Sequence, residues 1–314
     1  MLYWLLYQKL FPYFRPFRIF RYLTFRTAFA SLTAMLIALL IGPFVIEKLR
    51  EFQISQYIRE DGPQGHQKKA GTPTMGGVLI CIAILLPTLL WSDLSNPFVW
   101  LVMLSTLAFG AIGFADDYIK VVQRRNLGLT PPQKIGLQII AGVAIALVLL
   151  AMRSEGMYST HLMVPFLKRF RPDLSIHALG AIPHLSVIAF LPFVFFVTLI
   201  VVGATNSVNL TDGLDGLAIG CTIIAAAALT MLTYVSGNAV FSDYLELQRM
   251  PMVSEITVFC GAMVGASIGF LWYNAHPAEV FMGDVGSLAL GGAIGTVAVV
   301  IKQELLLPLS GASS

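Results

Sequence analysis

The chain has 314 residues, of which 57% are hydrophobic and only 12% are charged. Soluble domains carry about 25% charged residues, so this composition excludes an ordinary soluble protein and indicates that the lipid bilayer is its solvent. The net charge of +3 is small and spread along the chain, which argues against nucleic acid as a partner.

Eight apolar stretches follow an N-terminal segment, residues 1–26, that mixes aromatic and basic side chains and is predicted to lie at the membrane interface. Each stretch has, or nearly has, the roughly 20 residues that a spanning helix needs. None shows the alternation of apolar and polar residues that a strand of a membrane β-barrel requires. The predicted spans are residues 27–46, 70–92, 98–115, 135–152, 186–211, 216–242, 256–278 and 285–301. We therefore predict one all-α, polytopic transmembrane domain over residues 1–314, with about eight spans between residues 27 and 301 and a short tail at 302–314.

The basic residues of the connecting links predict the orientation. The links after the first and third spans are rich in Lys and Arg, whereas the link near Ser92 has neither. By the positive-inside rule, the odd-numbered links face the cytoplasm. The basic N-terminal segment and the long link after the fourth span run against this assignment.

Four polar motifs interrupt the apolar chain, at residues 61–77, 116–120, 206–216 and 274–287. Each motif follows or ends an odd-numbered span, so all four are predicted to lie on one face of the membrane. Their glycines permit the close backbone approach that a phosphate or a nucleotide can use.

The motifs contain five carboxylates at or near helix ends: Asp116, Asp117, Asp212, Asp215 and Asp284. A single Asp at a helix end is usually a cap, but five on one face, with Lys69 and Lys120 nearby, favour a binding site. Carboxylates at membrane depth are costly unless they are paired or bind a cation, and such hard oxygen ligands suit Mg²⁺. Because neighbouring helix positions point in different directions, we predict different tasks for Asp116 and Asp117, one binding metal and the other acting as a base.

Residues 71–77, 113–118, 206–220 and 280–291 resemble the phospho-N-acetylmuramoyl-pentapeptide-transferases, which belong to the polyprenyl-phosphate N-acetylhexosamine-1-phosphate transferase superfamily. The resemblance extends over residues 22–306 in order and spacing. It implies Mg²⁺-dependent transfer of phospho-MurNAc-pentapeptide from its UDP-linked precursor to undecaprenyl phosphate, with release of UMP, in the first membrane step of peptidoglycan synthesis. It also implies a multi-pass protein of the bacterial cytoplasmic (inner) membrane whose active site faces the cytoplasm, and it is compatible with a homodimer.

The resemblance also implies roles for individual residues. Asp116 is similar to the acid that acts as a base or handles the lipid phosphate, and Asp117 and Asp284 are similar to the magnesium-associated acids. Together with Lys69, these are the residues expected to be catalytic. The residues expected to line the nucleotide and pyrophosphate pocket are Lys69, Thr74, Asn206, Asn209, Asp212, Asp215, Asn274 and Phe281, with Asp215 and Phe281 against uracil.

Three other functions remain open at this point. A sister enzyme that transfers phospho-GlcNAc would share the acids and differ in its contacts with the sugar and peptide. An ion-coupled transporter would need its acids near the middle of the bilayer on broken helices. A chain without turnover could act as a binding or assembly partner in the membrane.

The family pattern continues past the eighth span with two further helices and, between them, a cytoplasmic loop with three consecutive histidines, whereas this sequence ends at Ser314. We therefore expect the 314-residue chain alone to have little or no transferase activity, because the loop's contribution to the site is missing. Robust turnover by the purified chain, measured as UMP release in the presence of the lipid acceptor, would contradict this expectation.

Overall fold

The computed structural model describes residues 1–51, 72–122, 127–164, 170–176 and 188–306. Its apolar helices are α1 (Leu23–Glu51), α2 (Gly77–Trp91), α3 (Pro97–Val122), α4 (Pro131–Ser154), α5 (Leu191–Thr211), α6 (Leu217–Gly237), α7 (Ile256–Asn274) and α8 (Gly283–Val300). Within the described residues, seven of them are long and apolar enough to cross a bilayer, and α2 is apolar but has only 15 residues. The predicted all-α, multi-pass membrane protein is confirmed.

Several helices differ clearly from their predicted bounds. Helix α2 begins only at Gly77, after the predicted start at residue 70, and helix α3 continues to Val122, beyond the predicted end at residue 115. Helix α1 extends beyond both ends of the predicted stretch 27–46, because a helix can continue through the membrane interface after its apolar part ends. Helix α6 ends at Gly237, earlier than predicted. The side chain of Asn238 accepts hydrogen bonds from the next backbone N–H groups and so starts a separate short helix, Ala239–Tyr244.

Helices α7 and α8 form the centre of the bundle. Helix α7 packs against α1, α2 and α6, and α8 packs against α3, α5 and α2. Every residue of α8 from Val285 to Val300 is buried, as expected for a helix that is apolar on all sides. The outer helices instead expose large apolar side chains such as Ile140 and Phe195, which suits contact with lipid.

Small residues allow α1 and α7 to pack closely. Gly261, Gly265 and Gly269 follow one another at four-residue spacing on α7. A Cβ atom on Gly265 would lie 1.9 Å from the carbonyl oxygen of Ser31 on α1. The buried small residues of α1 have the same spacing: Ala30, Ala34 and Ala38. This pattern of small residues lets the two backbones touch, as is common between helices in membranes.

An ion pair joins three elements at the end of the bundle where α1 and α7 begin. The guanidinium of Arg26 donates to the carboxylate of Glu255 and to the carbonyl of Trp91, at 3.2 Å for the latter. Glu255 also accepts from the backbone N–H of Asp93 at 2.7 Å. Both charged groups are largely buried, so each needs the other's charge to offset its desolvation.

We predict that Gly265→Ala lowers the free energy of unfolding by roughly 1–3 kcal/mol, the usual cost of overpacking, and so lowers the melting temperature. The added methyl group would collide with the α1 backbone. The matched control is Gly203→Ala on α5, where a Cβ would meet no atom within 4 Å. Melting temperatures in one detergent give the comparison, and equal effects of the two substitutions would contradict the close contact.

Candidate active site

The first and fourth motifs are joined by backbone hydrogen bonds. The Gly77 N–H donates to the Met282 carbonyl at 2.8 Å, and the Phe281 N–H donates to the Pro73 carbonyl at 2.9 Å. A Cβ on Gly77 would lie 2.0 Å from the backbone nitrogen of Gly286. Glycine at this position is therefore required for the start of α2 to lie against the first turn of α8.

The second and fourth motifs meet through another close backbone contact. A Cβ on Gly113 of α3 would lie 2.1 Å from the carbonyl oxygen of Asp284. About one helical turn later on α3, Asp116 and Asp117 reach the same region as the Asp284 side chain. One oxygen from each of the three carboxylates lies within 4.8 Å of the others.

Asp116 and Asp117 reach one region beside Asp284, in the first turn of α8, although they are adjacent on α3. That the two acids have different tasks stays a prediction. The side chains of neighbouring residues on a helix point in different directions, but both can reach the same point on an adjacent helix. All three acids could therefore act on a single ligand.

Two lysines offset part of the negative charge of the carboxylate cluster, defined as Asp116, Asp117 and Asp284. The Lys120 Nζ atom lies 2.5, 3.4 and 2.6 Å from oxygens of these three residues in that order. The Lys134 Nζ atom lies 3.1 Å from Asp284. The carboxylates are largely buried, whereas about a third of the Lys120 side chain is exposed, so the cluster opens to solvent on the side of Lys120.

The second oxygen of each carboxylate in the cluster is held by a donor other than a lysine. These bonds run from the Leu129 N–H to Asp116 at 2.9 Å, from the Val285 N–H to Asp117 at 3.2 Å, and from the Asn209 side-chain amide to Asp284 at 2.5 Å. The orientation of the acids is therefore set by α3, α5, α8 and the end of the α3–α4 link together. Preorganised ligands of this kind are typical of metal sites.

The third motif supplies the next part of the site. The Asn209 side chain also donates to the Ser287 hydroxyl at 2.8 Å, which fixes α5 against α8. Burial, together with the nearby charges of Asp284, Asp117 and Asp215, raises the pKa of Asp212 to about 7 against the opposing effect of a hydrogen bond from the Gly283 backbone. Asp212 therefore gains and loses its proton around neutral pH, rather than near pH 4, as long as no cation lies close to it.

Asp215 and Asn274 join the third motif to the segment after α7. The buried Asn274 side chain accepts from the Gly216 N–H at 3.1 Å and donates to the Val280 carbonyl at 2.9 Å. Asp215 lies 3.1 Å from a ring nitrogen of the exposed His276. These contacts hold the loop before α8 against the end of α5.

The other predicted site residues have different positions. Thr74 lies at the edge of the cluster, since a Cβ on Gly283 would lie 2.8 Å from its hydroxyl and 2.6 Å from Asp117. Asn206 is not brought to the cluster by any recorded contact: its amide donates to Gln138 on α4, at 2.6 Å. Lys69 lies outside the described residues.

Sequence reasoning missed Lys134 as part of the site and counted it only as a basic residue of a link. A local signal was present, because Thr130 and Gln133 form a capping box that starts α4. That cap places Lys134 in the first turn of α4, next to the link from α3. The contact with Asp284 itself depends on the packing of α4, which no local signal gives.

The chain is similar to a family model, a signature and several known proteins. Residues 99–302 match the family model described as glycosyl transferase family 4, and residues 69–81 match phospho-N-acetylmuramoyl-pentapeptide-transferase signature 1. A phospho-N-acetylmuramoyl-pentapeptide-transferase of Acidobacterium capsulatum is 80% identical over 99% of this chain and 82% of the relative. The proteins of the same name from Koribacter versatilis and Solibacter usitatus are 69% and 60% identical, over 99% of this chain and 83% and 82% of their own lengths.

The chain belongs to the phospho-N-acetylmuramoyl-pentapeptide-transferase family. The matched region from residue 99 onward contains α4 to α8 entirely and nearly all of α3, so it includes all three acids of the carboxylate cluster. The shorter signature covers Lys69 and Thr74. The protein is therefore a transferase of peptidoglycan synthesis and spans the membrane several times.

We predict that Asp212 makes the stability of the metal-free protein fall as the pH rises. Its folded pKa of about 7 exceeds the ordinary value of 3.8, so its stabilising contribution is complete below about pH 4 and is lost as the pH rises through about 7. Asp212→Asn should flatten this part of the pH profile. Melting temperatures in EDTA between pH 4.5 and 8 test it, with Asp243→Asn at an exposed position as the control; parallel profiles for Asp212→Asn and the wild type would contradict it.

Proposed function

We propose that this protein transfers phospho-MurNAc-pentapeptide from its UDP-linked precursor to undecaprenyl phosphate and releases UMP. The observation that carries this proposal is the convergence of Asp116, Asp117 and Asp284 on one point at the end of an apolar helix bundle. A water-soluble nucleotide sugar and a membrane lipid phosphate can meet only near the membrane surface. Family membership gives the reaction class.

The carboxylate cluster fits a magnesium ion. Mg²⁺ binds one or two protein carboxylates together with substrate phosphate oxygens, and we propose Asp117 and Asp284 as its ligands. Each has one oxygen fixed by another part of the chain and one oxygen directed at the common point. A magnesium ion bound there would supply positive charge to the oxygens of the donor's diphosphate.

The chain's own residues then have separable tasks. Asp116 keeps one oxygen on the Leu129 N–H and can accept a hydrogen bond or a proton from the acceptor phosphate with the other. Lys134 reduces the negative charge that an approaching diphosphate meets. Asn209 keeps Asp284 in its orientation while substrates bind.

We propose that the nucleotide lies beside the third motif, near Thr74 and Phe281. Asp215 and Phe281 belong to the two segments that Asn274 joins, after α5 and after α7. An aromatic ring can stack on a base, and a carboxylate can accept from the uracil N–H. Lys69 belongs to the same proposal through the matched signature.

The proposed location is the bacterial cytoplasmic membrane, with the carboxylate cluster facing the cytoplasm. The basic links after the first and third spans support this orientation by the positive-inside rule, and the nucleotide precursor must reach the site from that side. A transporter is less well supported, because Asp116 and Asp117 lie in the last two turns of α3 and Asp284 lies in the first turn of α8, rather than at mid-helix.

We predict that Mg²⁺ strengthens the binding of UDP-MurNAc-pentapeptide to the protein in nanodiscs and that Asp284→Asn removes this dependence. With Mg²⁺ present, Asp284→Asn should bind the donor at least about tenfold more weakly than the wild type. Tenfold is the lower end of the effect of disturbing a metal site. Calorimetric titration with and without EDTA measures it. The matched control is Asp243→Asn, an exposed acid on the short helix after α6, which should bind the donor as the wild type does.

The same titration and an uptake assay in liposomes together separate the alternative functions. Preference for UDP-GlcNAc over UDP-MurNAc-pentapeptide would favour the sister enzyme. Uptake of solute into liposomes without any UMP release would favour a transporter. Donor binding that Mg²⁺ and Asp284→Asn both leave unchanged would refute the proposed metal site.

A further inference from the structure

Lys120 occupies the place at which a cation would bind. The three oxygens that face it, Asp116 Oδ2, Asp117 Oδ1 and Asp284 Oδ2, lie 2.5, 3.4 and 2.6 Å from its Nζ atom. No other single side chain among the described residues has a recorded ion pair with all three acids. Its ammonium group is thus the counter-ion of the cluster in this structure.

The direction of these three oxygens does not depend on Lys120. The opposite oxygen of each carboxylate accepts from a fixed donor, which is a backbone N–H for Asp116 and Asp117 and the Asn209 amide for Asp284. If the ammonium group left, the oxygens would still point at one place. A divalent cation would therefore find ligands that are already oriented.

The ammonium group and a metal ion cannot share this place. Magnesium needs oxygens at about 2.0–2.1 Å, so an ion bound to the oxygens of its proposed ligands, Asp117 and Asp284, would overlap the Nζ atom and repel its charge. The Lys120 side chain has a flexible four-carbon stem and is about a third exposed. It is able to move outward into the opening of the cluster without disturbing α3.

We propose that Lys120 is a displaceable counter-ion, which holds the carboxylate cluster in the metal-free protein and is expelled by the divalent cation toward the side from which the diphosphate arrives. This inference depends on the proposed magnesium binding. Without an ammonium group, three largely buried carboxylates would repel one another. Once released, the same positive charge is available to the donor's phosphates, so metal binding and donor binding reinforce each other.

Lys134 provides the internal comparison, because it lies 3.1 Å from Asp284 and has no recorded ion pair with the other two acids. Removing its charge lowers the positive potential of the site but leaves the metal's place occupied by Lys120. Lys48 provides a second comparison: it belongs to the end of α1 and pairs with Glu51. Its removal changes the net charge without touching the cluster.

The first experiment measures Mn²⁺ binding to the substrate-free protein by the loss of the free-ion electron paramagnetic resonance signal. Lys120→Gln should bind Mn²⁺ about tenfold more tightly than the wild type, which corresponds to about 1.4 kcal/mol. Lys134→Gln should change the affinity by about threefold or less, as for one partly exposed pair, and Lys48→Gln should leave it unchanged. An unchanged or weaker affinity in Lys120→Gln, or an equal gain in Lys134→Gln, would overturn the proposal.

The second experiment uses the wild type and so does not depend on the folding of a variant. A small amine-acylating reagent labels exposed lysines, and mass spectrometry quantifies each site while Mg²⁺ is titrated without substrate. Labelling of Lys120 should rise several-fold as Mg²⁺ is added, and the rise should be half complete at the Mg²⁺ concentration at which half of the sites are occupied. Labelling of Lys48 should stay constant. Constant labelling of Lys120 while the metal binds would refute the displacement alone, whereas failure of the wild type to bind either metal would refute the magnesium site as well.

Discussion

The structure depends on keeping three carboxylates together at the end of an apolar helix bundle. Asp116, Asp117 and Asp284 are largely buried, and negative charges in such a place repel each other and lose solvation. The protein offsets this with the ammonium groups of Lys120 and Lys134. The same concentration of negative charge is what the proposed magnesium ion would bind.

Close backbone contacts translate the helix packing into the geometry of the site. Gly113 lets α3 touch the backbone at Asp284, and Gly77 lets α2 touch α8 at Gly286. A larger residue at either position would separate α8 from its neighbour and move the acids apart. The geometry of the site therefore depends directly on the packing of the core, because α8 is the most buried helix and also contains Asp284.

The two ends of the bundle use buried charge differently. At the end where α1 and α7 begin, Arg26 and Glu255 form a closed pair whose remaining hydrogen bonds go to nearby backbone groups. At the other end, the carboxylate cluster exceeds its two lysines in charge and opens to solvent beside Lys120. The first arrangement fixes the helices, whereas the second leaves room for a ligand.

The sequence by itself determined the helical membrane fold, the approximate spans and the identity of the acids. These properties are local. A long run of apolar residues without alternation forms a helix in lipid. Charged groups in such a chain are costly unless they are paired or bind a cation, so they indicate a functional site. Hydropathy could not give the end of α6 at Gly237, where the Asn238 cap decides it. Nor could it show that α1 continues through the interface to Glu51.

Only the tertiary structure decided how the acids meet and what neutralises them. It brought the adjacent Asp116 and Asp117 to one point, added Lys134 to the site and directed the Asn206 amide to Gln138. The residues in each contact between helices are far apart in the chain. Their distances follow from which helix backbones can touch, and that depends on the packing of the whole bundle and not on any single segment.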